Sequence, residues 1–574
     1  MPPLRGRLKT ARFLLNILST NNNKLSRKGN LTVYGPAVMD DAFKNGRYLI
    51  VDDFDQMRVS FKGILTGFGA SEIETAPSGE QALRLLAKAR FDVVICDYHL
   101  GDGKDGQQVL EEARHLGYLG HSCTFFMITA ESHMPMVLGA LEHQPDEYMV
   151  KPINRDVFQH RLAGTLRRKQ QLLAIDEALS QGDKVRAIAH CVEQADGDLK
   201  HRHYLSKLRA ELCLDIEAYD EAEKIYQELL GIRDFPWANF GLGKIEYFRR
   251  NLERAESRFL DLIEKNQHYL EAYDWAVRIK EEKGQQEQAQ QLLQQAVRLA
   301  PKAVARQRKL GLLAHRNGDG EIAERAFQAA IRWGKTSCFA DSEEYLHLAE
   351  IYQQKGQQAK RLQLLADGIA RFDDCPADQV RMLCRQAAAK RDLSEQNDID
   401  SCLQKVESLV REHSAEMPAE TLLEAAEECY RIEKPDSARA LIKTLLGNHH
   451  DNTQRLDQVR KVMQAHDRSG EAEKLIESAT GELHSIQAQC SDLLDAGEMA
   501  QAIERLNDTV AQYPANRTLV LVGVKAMIDY MVNHGADRGY HFRCRQALDR
   551  LLRMNAGDPE ANAALERLSQ IPSV

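Results

Sequence analysis

From Gly243 onward the chain repeats itself every 34 residues, and a period of that length leaves few folds open. Gly243, Val277 and Gly311 share one position of the repeat, Ala255, Ala289 and Ala323 a second, and Phe259, Leu293 and Phe327 a third. Gly284 and Gly318 mark turns, and Pro301 closes a unit. Small residues let two helices approach, while large ones fill the gap to the next pair. A unit of this size cannot bury its apolar face alone, so it stacks on its neighbours. The pattern extends upstream through Ala210, Ala222 and Tyr226 at a 33-residue offset, and more weakly to Ala187 and Cys191. Downstream it continues through Ala349, Tyr352, Gly356 and Leu365 after a four-residue insertion. It returns near the C-terminus in GEMAQAIERLNDTVAQYP, with Gly497, Ala502, Leu506 and Pro514. Between about residues 375 and 480 it is degenerate, and only AAEECYRIEKPDSARALIKTLL reads as a unit.

These residues resemble tetratricopeptide (TPR) repeats, best over residues 203 to 370. The resemblance implies an all-α superhelical solenoid whose concave surface binds a protein partner. It does not name the groove residues.

Residues 47 to 152 do not follow the period. Short apolar runs (YLIV 48–51, EIETA 72–76, VVIC 93–96, FFMI 125–128, YMV 148–150) alternate with amphipathic segments. In SGEQALRLLAKAR, Ser78 is placed to cap a helix, with Leu83, Leu85 and Leu86 on one side. DGQQVLEEARHLG ends on Gly117, a helix-terminating glycine. Strands alternating with helices predict an α/β doubly wound, five-stranded parallel sheet.

The strands end on polar residues. In FDVVICDYHLGDGKDG a run that reads as fully buried stops at Asp97. A buried, unpaired charge is costly, so a cation is expected beside it. The first strand ends in Asp52-Asp53, the fourth in Thr129 and the fifth in Lys151-Pro152. In an open parallel sheet these ends share one edge, where ligands bind. Three carboxylates on oxygen-rich loops suit a hard divalent ion, most naturally Mg²⁺. A phosphoryl group on Asp97 would find metal, ammonium and hydroxyl around its oxygens.

This set resembles the receiver domain of two-component response regulators, a flavodoxin-like fold. The matching residues are the acid pair in LIVDDFDQMR, Asp97, Thr129 in MITA and Lys151 in VKP. The separations agree as well: 44 residues from Asp53 to Asp97, 32 to Thr129 and 22 more to Lys151. The resemblance implies that Asp97 is the phospho-acceptor and that Asp52, Asp53, Asp97 and the His99 backbone carbonyl hold Mg²⁺. It implies that Thr129 is the switch hydroxyl, Lys151 a phosphoryl-binding ammonium and Tyr148 an aromatic switch. Side chains at His99 and Glu131 are of the kind that tune phosphoryl lifetime in this family.

Composition agrees with a globular protein in the cytoplasm. The chain is 43% hydrophobic and 28% charged with a net charge of −9, which argues against general nucleic-acid or anionic-membrane binding. Its 11 cysteines, without a C-x-x-C pair, read as reduced thiols. No apolar run approaches the length of a membrane span. Residues 1 to 38 carry Arg5, Arg7, Lys9, Arg12, Lys24, Arg27 and Lys28 and no acid. They make a poor secretory signal and read as a disordered leader or an over-extended frame, with Met39 the natural start. The expected organisation is a leader (1–45), a receiver domain (46–168), TPR repeats (169–374), degenerate helical repeats (375–480) and C-terminal TPR-like repeats (481–574).

The tripeptide Glu177-Ala178-Leu179 lacks the carboxylate motifs of the phosphodiesterases it spells. Arg167-Arg168-Lys169 reads as a solvated helix face, and His449-His450 lacks metal spacing. There is no P-loop, serine-hydrolase elbow or kinase nucleotide box. The expectation is therefore a response regulator and not an enzyme. A sensor histidine kinase or phosphotransfer protein would phosphorylate Asp97, and the solenoid would change its protein partner. The alternatives are a phosphate sink or kinase-binding inhibitor, or a cryptic enzyme or DNA-binding output in the C-terminal region. A homodimer through the receiver is also implied by the resemblance. Coupling is expected through the chain from Phe158 to Leu173, which joins the switch face to the solenoid.

Overall fold

The structure is a computed structural model and describes residues 44–130, 145–170, 172–196, 199–393 and 396–571. The expected leader apart from its last two residues, the Met39 start and Glu131 lie outside the described residues, as do the side chains of Arg167 and Arg168. Two compact units are present, Met1–Ala340 and Asp341–Val574.

In the first unit five strands form one parallel sheet in the order β2-β1-β3-β4-β5. They are β1 (Arg47–Val51), β2 (Glu72–Ala76), β3 (Val93–Asp97), β4 (Thr124–Thr129) and β5 (Glu147–Val150). Each apolar run of the sequence lies inside one of them. β3 and β4 are buried at every position, as central strands covered on both faces must be. One layer is formed by α1 (Asp55–Gly67) and α4 (Arg155–Gln170), the other by α2 (Gly79–Lys88) and α3 (Gly106–His115). Leu83, Leu86, Val109 and Leu110 pack under the second layer with Val94 and Phe125. Phe158 of α4 meets Phe61 and Phe126 edge-on at 5.8 and 5.5 Å under the first.

The helix ends follow local chemistry. The Ser78 hydroxyl accepts from the Gln81 amide at 3.4 Å. Asp105 and Gln108 form a reciprocal capping box at the start of α3. At its end Gly117 is left-handed (φ 70°), and the Tyr118 amide donates to the Ala113 carbonyl at 2.8 Å.

After Gln170 every described element is helical. Gly243 faces the Phe259 ring so closely that a Cβ there would lie 2.7 Å from it, and Gly311 faces Phe327 in the same way. Where the repeat carries Val277 instead of glycine, its counterpart is the smaller Leu293, and both sit in one buried cluster. Ala255, Ala289 and Ala323 are fully buried. The turn between paired helices needs a left-handed residue. Gly284, Gly318 and Gly356 supply it, and Glu217 and Arg250 adopt it without being glycine.

The described part of the second unit is an all-helical array. Its degenerate stretch contains regular helix pairs. Ala419–Arg431 and Pro435–His449 enclose the expected unit, and left-handed turns recur at Glu433, Asp467 and Gly497. Every cysteine is a free thiol.

Candidate functional site

Parallel pairing fixes which residues meet at the sheet edge. Val51 is level with Cys96, Asp97 with Ile128, and Thr129 with Val150. The residue just past β1 therefore lies beside Asp97 at the end of β3, and the residue just past β5 lies beside Thr129 at the end of β4. Asp52, Asp97 and Thr129 are almost fully buried, at 2%, 6% and 1% exposure.

The cation that Asp97 requires is Lys151. Its Nζ donates to Asp97 Oδ2 at 2.9 Å and to Asp52 Oδ2 at 3.2 Å. The Lys151 amide is held by the Thr129 carbonyl at 2.7 Å, which ties β5 to β4 at this point. Backbone donors meet the remaining oxygens: the Tyr98 amide lies 2.9 Å from Asp97 Oδ1, and the Phe54 amide 2.9 Å from Asp52 Oδ1.

Burial pushes the Asp97 carboxyl above its ordinary range; Lys151 pulls it down, and Asp52 adds to the rise. Burial alone would lower Lys151, but its hydrogen bonds to Asp97 and Asp52 reverse this, and its ammonium titrates above its ordinary value. The site thus holds Lys151 charged beside a carboxylate whose ionisation is resisted by its surroundings.

One oxygen has no partner. Asp53 Oδ1 is buried without a hydrogen bond. Oxygens of Asp52, Asp53 and Asp97 lie within 4.8 Å of one another, and among the described residues no other group of His, Cys, Asp or Glu is placed to hold a metal. An orphaned carboxylate oxygen in an all-oxygen cluster suits a hard divalent cation. The residues present therefore form an acidic pocket that a metal ion would complete.

The remaining expected residues are distributed as follows. Thr129 ends β4. The His99 side chain is exposed and its ring lies edge-on to Tyr98 at 5.1 Å. Tyr148 on β5 is half-buried against the layer that contains Leu110. Glu131 and the other residues from 132 to 144 lie outside the described residues.

Two residues that the sequence did not single out complete the frame. Arg58 Nη1 donates to the backbone carbonyls of Asp52 and Asp53 at 2.6 and 3.1 Å, fixing the acid pair. Its signal was its place one turn into the helix that follows the pair. Gly106 packs against the Asp97 carbonyl, and a Cβ there would lie 2.1 Å from that oxygen. Its signal was a glycine opening a helix, a common pattern that carries little information.

Residues 48–163 match the response regulator receiver domain family. The chemotaxis protein CheY-3 of Vibrio cholerae is 34% identical over 119 residues, which are 21% of this chain and 90% of that protein. The transcriptional regulatory protein AfsQ1 of Streptomyces coelicolor is 32% identical over 123 residues, 21% of this chain and 52% of its own length. Among solved structures, a CheY-like response regulator receiver domain protein from Methanospirillum hungatei is 26% identical. The match covers 22% of this chain and 97% of that one, with a TM-score of 0.21.

Proposed function

The chain belongs, through residues 48–163, to the response regulator receiver family, and on that premise we propose that phosphorylation of Asp97 controls a protein–protein interaction made by its solenoid. The observation that carries this reading is the contact of Lys151 Nζ with Asp97 Oδ2 and Asp52 Oδ2, beside the unpartnered Asp53 Oδ1.

The donor is a phosphohistidine on a sensor kinase or phosphotransfer protein. An Asp97 carboxylate oxygen attacks phosphorus, the P–N bond breaks, and the imidazole nitrogen leaves with the electron pair and takes up a proton. An acyl phosphate remains on Asp97. Asp52, Asp53, Asp97 and the His99 carbonyl would hold Mg²⁺, which would neutralise the crowded acids and stabilise the charge on the transferring phosphoryl group. Lys151 gives up its bond to the free carboxylate for one to a phosphoryl oxygen, a charge-assisted contact. Thr129 donates its hydroxyl to another, and Tyr148 turns inward into the space vacated.

The output is binding, not a second catalytic reaction. The helical pairs after residue 170 read as TPR units, and they carry partly exposed aromatic and charged surface suited to protein contacts. In the first unit Lys244 lies over the Phe240 and Trp275 rings. In the second, Arg381 pairs with both Glu343 and Glu424 at 2.8 Å along a cleft of about 400 Å³. No described helix is long and apolar enough to cross a membrane, and a cytoplasmic site of action follows from the kinase partner.

The test compares partners in two states. Full-length protein treated with acetyl phosphate and Mg²⁺, and the same preparation of Asp97→Asn, are used to capture proteins from the native host. A set of partners that changes with phosphorylation and is constant for Asp97→Asn supports the reading. Identical sets throughout would reduce the chain to a constitutive scaffold.

A further inference from the structure

The first unit contains a second, internal interface on α3. Lys104, Gln108, Glu112 and His115 are spaced 4, 4 and 3 residues apart, so they form one stripe along the helix and the residues leading into it. This stripe meets the segment that follows the helix Gly320–Gly334 of the repeats. Lys104 Nζ donates to the Thr336 carbonyl at 2.5 Å and to Glu112 Oε2 at 2.6 Å. The Thr336 hydroxyl donates to Gln108 Oε1 at 3.1 Å. The Phe339 ring lies edge-on to His115 at 5.1 Å. Lys302 approaches the capping carboxylate Asp105 at 4.0 Å.

A separate grip lies beyond the other end of α3. Asp176 accepts from the amides of His121 and Ser122 at 2.9 and 2.5 Å. Lys169 Nζ donates to the His121 carbonyl at 2.6 Å and pairs with Asp146 at the same distance. The Tyr204 hydroxyl contacts His121 Nδ1 at 3.2 Å. Both approaches to α3 are therefore held: beyond its far end Asp176 of the repeats and Lys169 of α4 bind backbone groups, and along its stripe a weaker grip is made by Lys104, the Gln108 amide, the Phe339 ring and the long Lys302–Asp105 pair.

The weaker grip is connected to Asp97 without slack. The Gly106 amide donates to the Tyr98 carbonyl at 2.8 Å, and Gly106 abuts the Asp97 carbonyl. A Cβ on Gly101 would lie 3.3 Å from Asp53 Oδ2, one on Gly103 2.7 Å from Glu80 Oε1, and one on Gly79 2.8 Å from Lys104 Cβ. A loop packed this closely passes on a shift at either end. It joins the acidic pocket to Lys104 in seven residues.

We infer that the α3 stripe is an internal docking surface for residues 336–339 and that a phosphoryl group on Asp97 loosens it; the coupling rests on the phosphorylation proposed above. A phosphoryl group adds negative charge and bulk at the end of β3. The charge draws the Lys104 ammonium away from a neutral carbonyl acceptor, and the bulk displaces the loop that carries Lys104. The Asp176 grip, anchored past the far end of α3, stays closed. Phosphorylation thus frees the end of the first unit's repeats while the receiver stays attached at their start.

The coupling is reciprocal, so it can be read from either side. Hydrogen exchange is measured on the full chain with and without beryllofluoride and Mg²⁺, for the native protein, Asp97→Asn and Phe339→Ala. The amides of Ser337 and Phe339 are bonded within the docked segment, to the Gly334 carbonyl and the Ser337 hydroxyl. The native protein should exchange peptides covering 334–340 about 5-fold or more faster with the mimic, with residues 173–180 unchanged and no response in Asp97→Asn. Phe339→Ala should exchange that segment faster without the mimic and bind the mimic more tightly by the same factor. Unchanged or slower exchange at 334–340, while residues 98–106 show that the mimic is bound, overturns the coupling. No mimic binding by the native protein or by Phe339→Ala overturns the phosphorylation reading and the coupling with it.

Discussion

The sheet and the repeats solve the same problem, an awkward buried position, by opposite means. In the sheet the awkward residue is a charge, Asp97, and its solution is a single partner, Lys151, delivered from a strand two places away. In the repeats it is a steric gap, filled by a pair of residues whose sizes trade against each other: Gly243 with Phe259, Val277 with Leu293, Gly311 with Phe327. The first solution depends on identity at a few positions and supports chemistry. The second depends on summed volume, recurs along the chain and supports an extended surface. The sheet should therefore fail abruptly on single changes, and the repeats should tolerate compensated ones.

The largest expected effect is on the acceptor. Asp97→Asn should abolish phosphoryl transfer from a small-molecule donor while leaving the fold intact, as followed by mass and circular dichroism. Phe259→Ala should come next. It removes a fully buried ring and should cost about 3–5 kcal/mol in denaturant unfolding of the repeats, yet leave phosphorylation of Asp97 in place. The size trade itself is tested by Gly243→Val, which forces a side chain into the Phe259 ring and should cost about 1–3 kcal/mol. Adding Phe259→Leu, which reproduces the Val277–Leu293 pair, should bring the loss below about 1.5 kcal/mol. A double variant no better than the single one would break the comparison.

A smaller effect concerns pH. Burial raises the Asp97 carboxyl, so the native state binds its proton more strongly than the unfolded chain does. The stabilisation from that proton is complete below the ordinary carboxylate range and is lost as pH rises through the raised value. Without divalent cations, Asp97→Asn should therefore be more stable than the native protein at neutral pH, and the difference should shrink as the solution is acidified. Thermal unfolding in chelator at several pH values measures this. The smallest effect is at the turns: Glu433 adopts a left-handed conformation (φ 61°), and Glu433→Gly should stabilise the second unit by about 1 kcal/mol.

Much of the sheet was legible because its signals are local and abrupt. Four of the five apolar runs stop at a polar residue that the sheet edge then uses, so Asp52, Asp97, Thr129 and Lys151 mark strand ends and site together. Arg58 was not legible, because its work is to bind two backbone carbonyls, and backbone positions leave no trace in composition. The repeats were legible where glycine holds the left-handed turn, at Gly284, Gly318 and Gly356. They faded between residues 375 and 480, where Glu433 and Asp467 take the same conformation at the same spacing. The contact of α3 with residues 336–339 was invisible for another reason. It joins positions more than 200 residues apart through a carbonyl, an amide and a ring, none of which has a periodic or motif signature.

The account turns on whether Asp97 accepts a phosphoryl group. Intact-mass spectrometry of the purified full-length chain with acetyl phosphate and Mg²⁺, beside Asp97→Asn, decides it most directly. The account predicts a mass increase of one phosphoryl group on the native protein, dependent on the divalent cation and absent from the variant. An adduct of equal yield on both proteins would contradict it by placing the acceptor elsewhere. No adduct on the native protein, with its cognate kinase as donor as well, would contradict it outright.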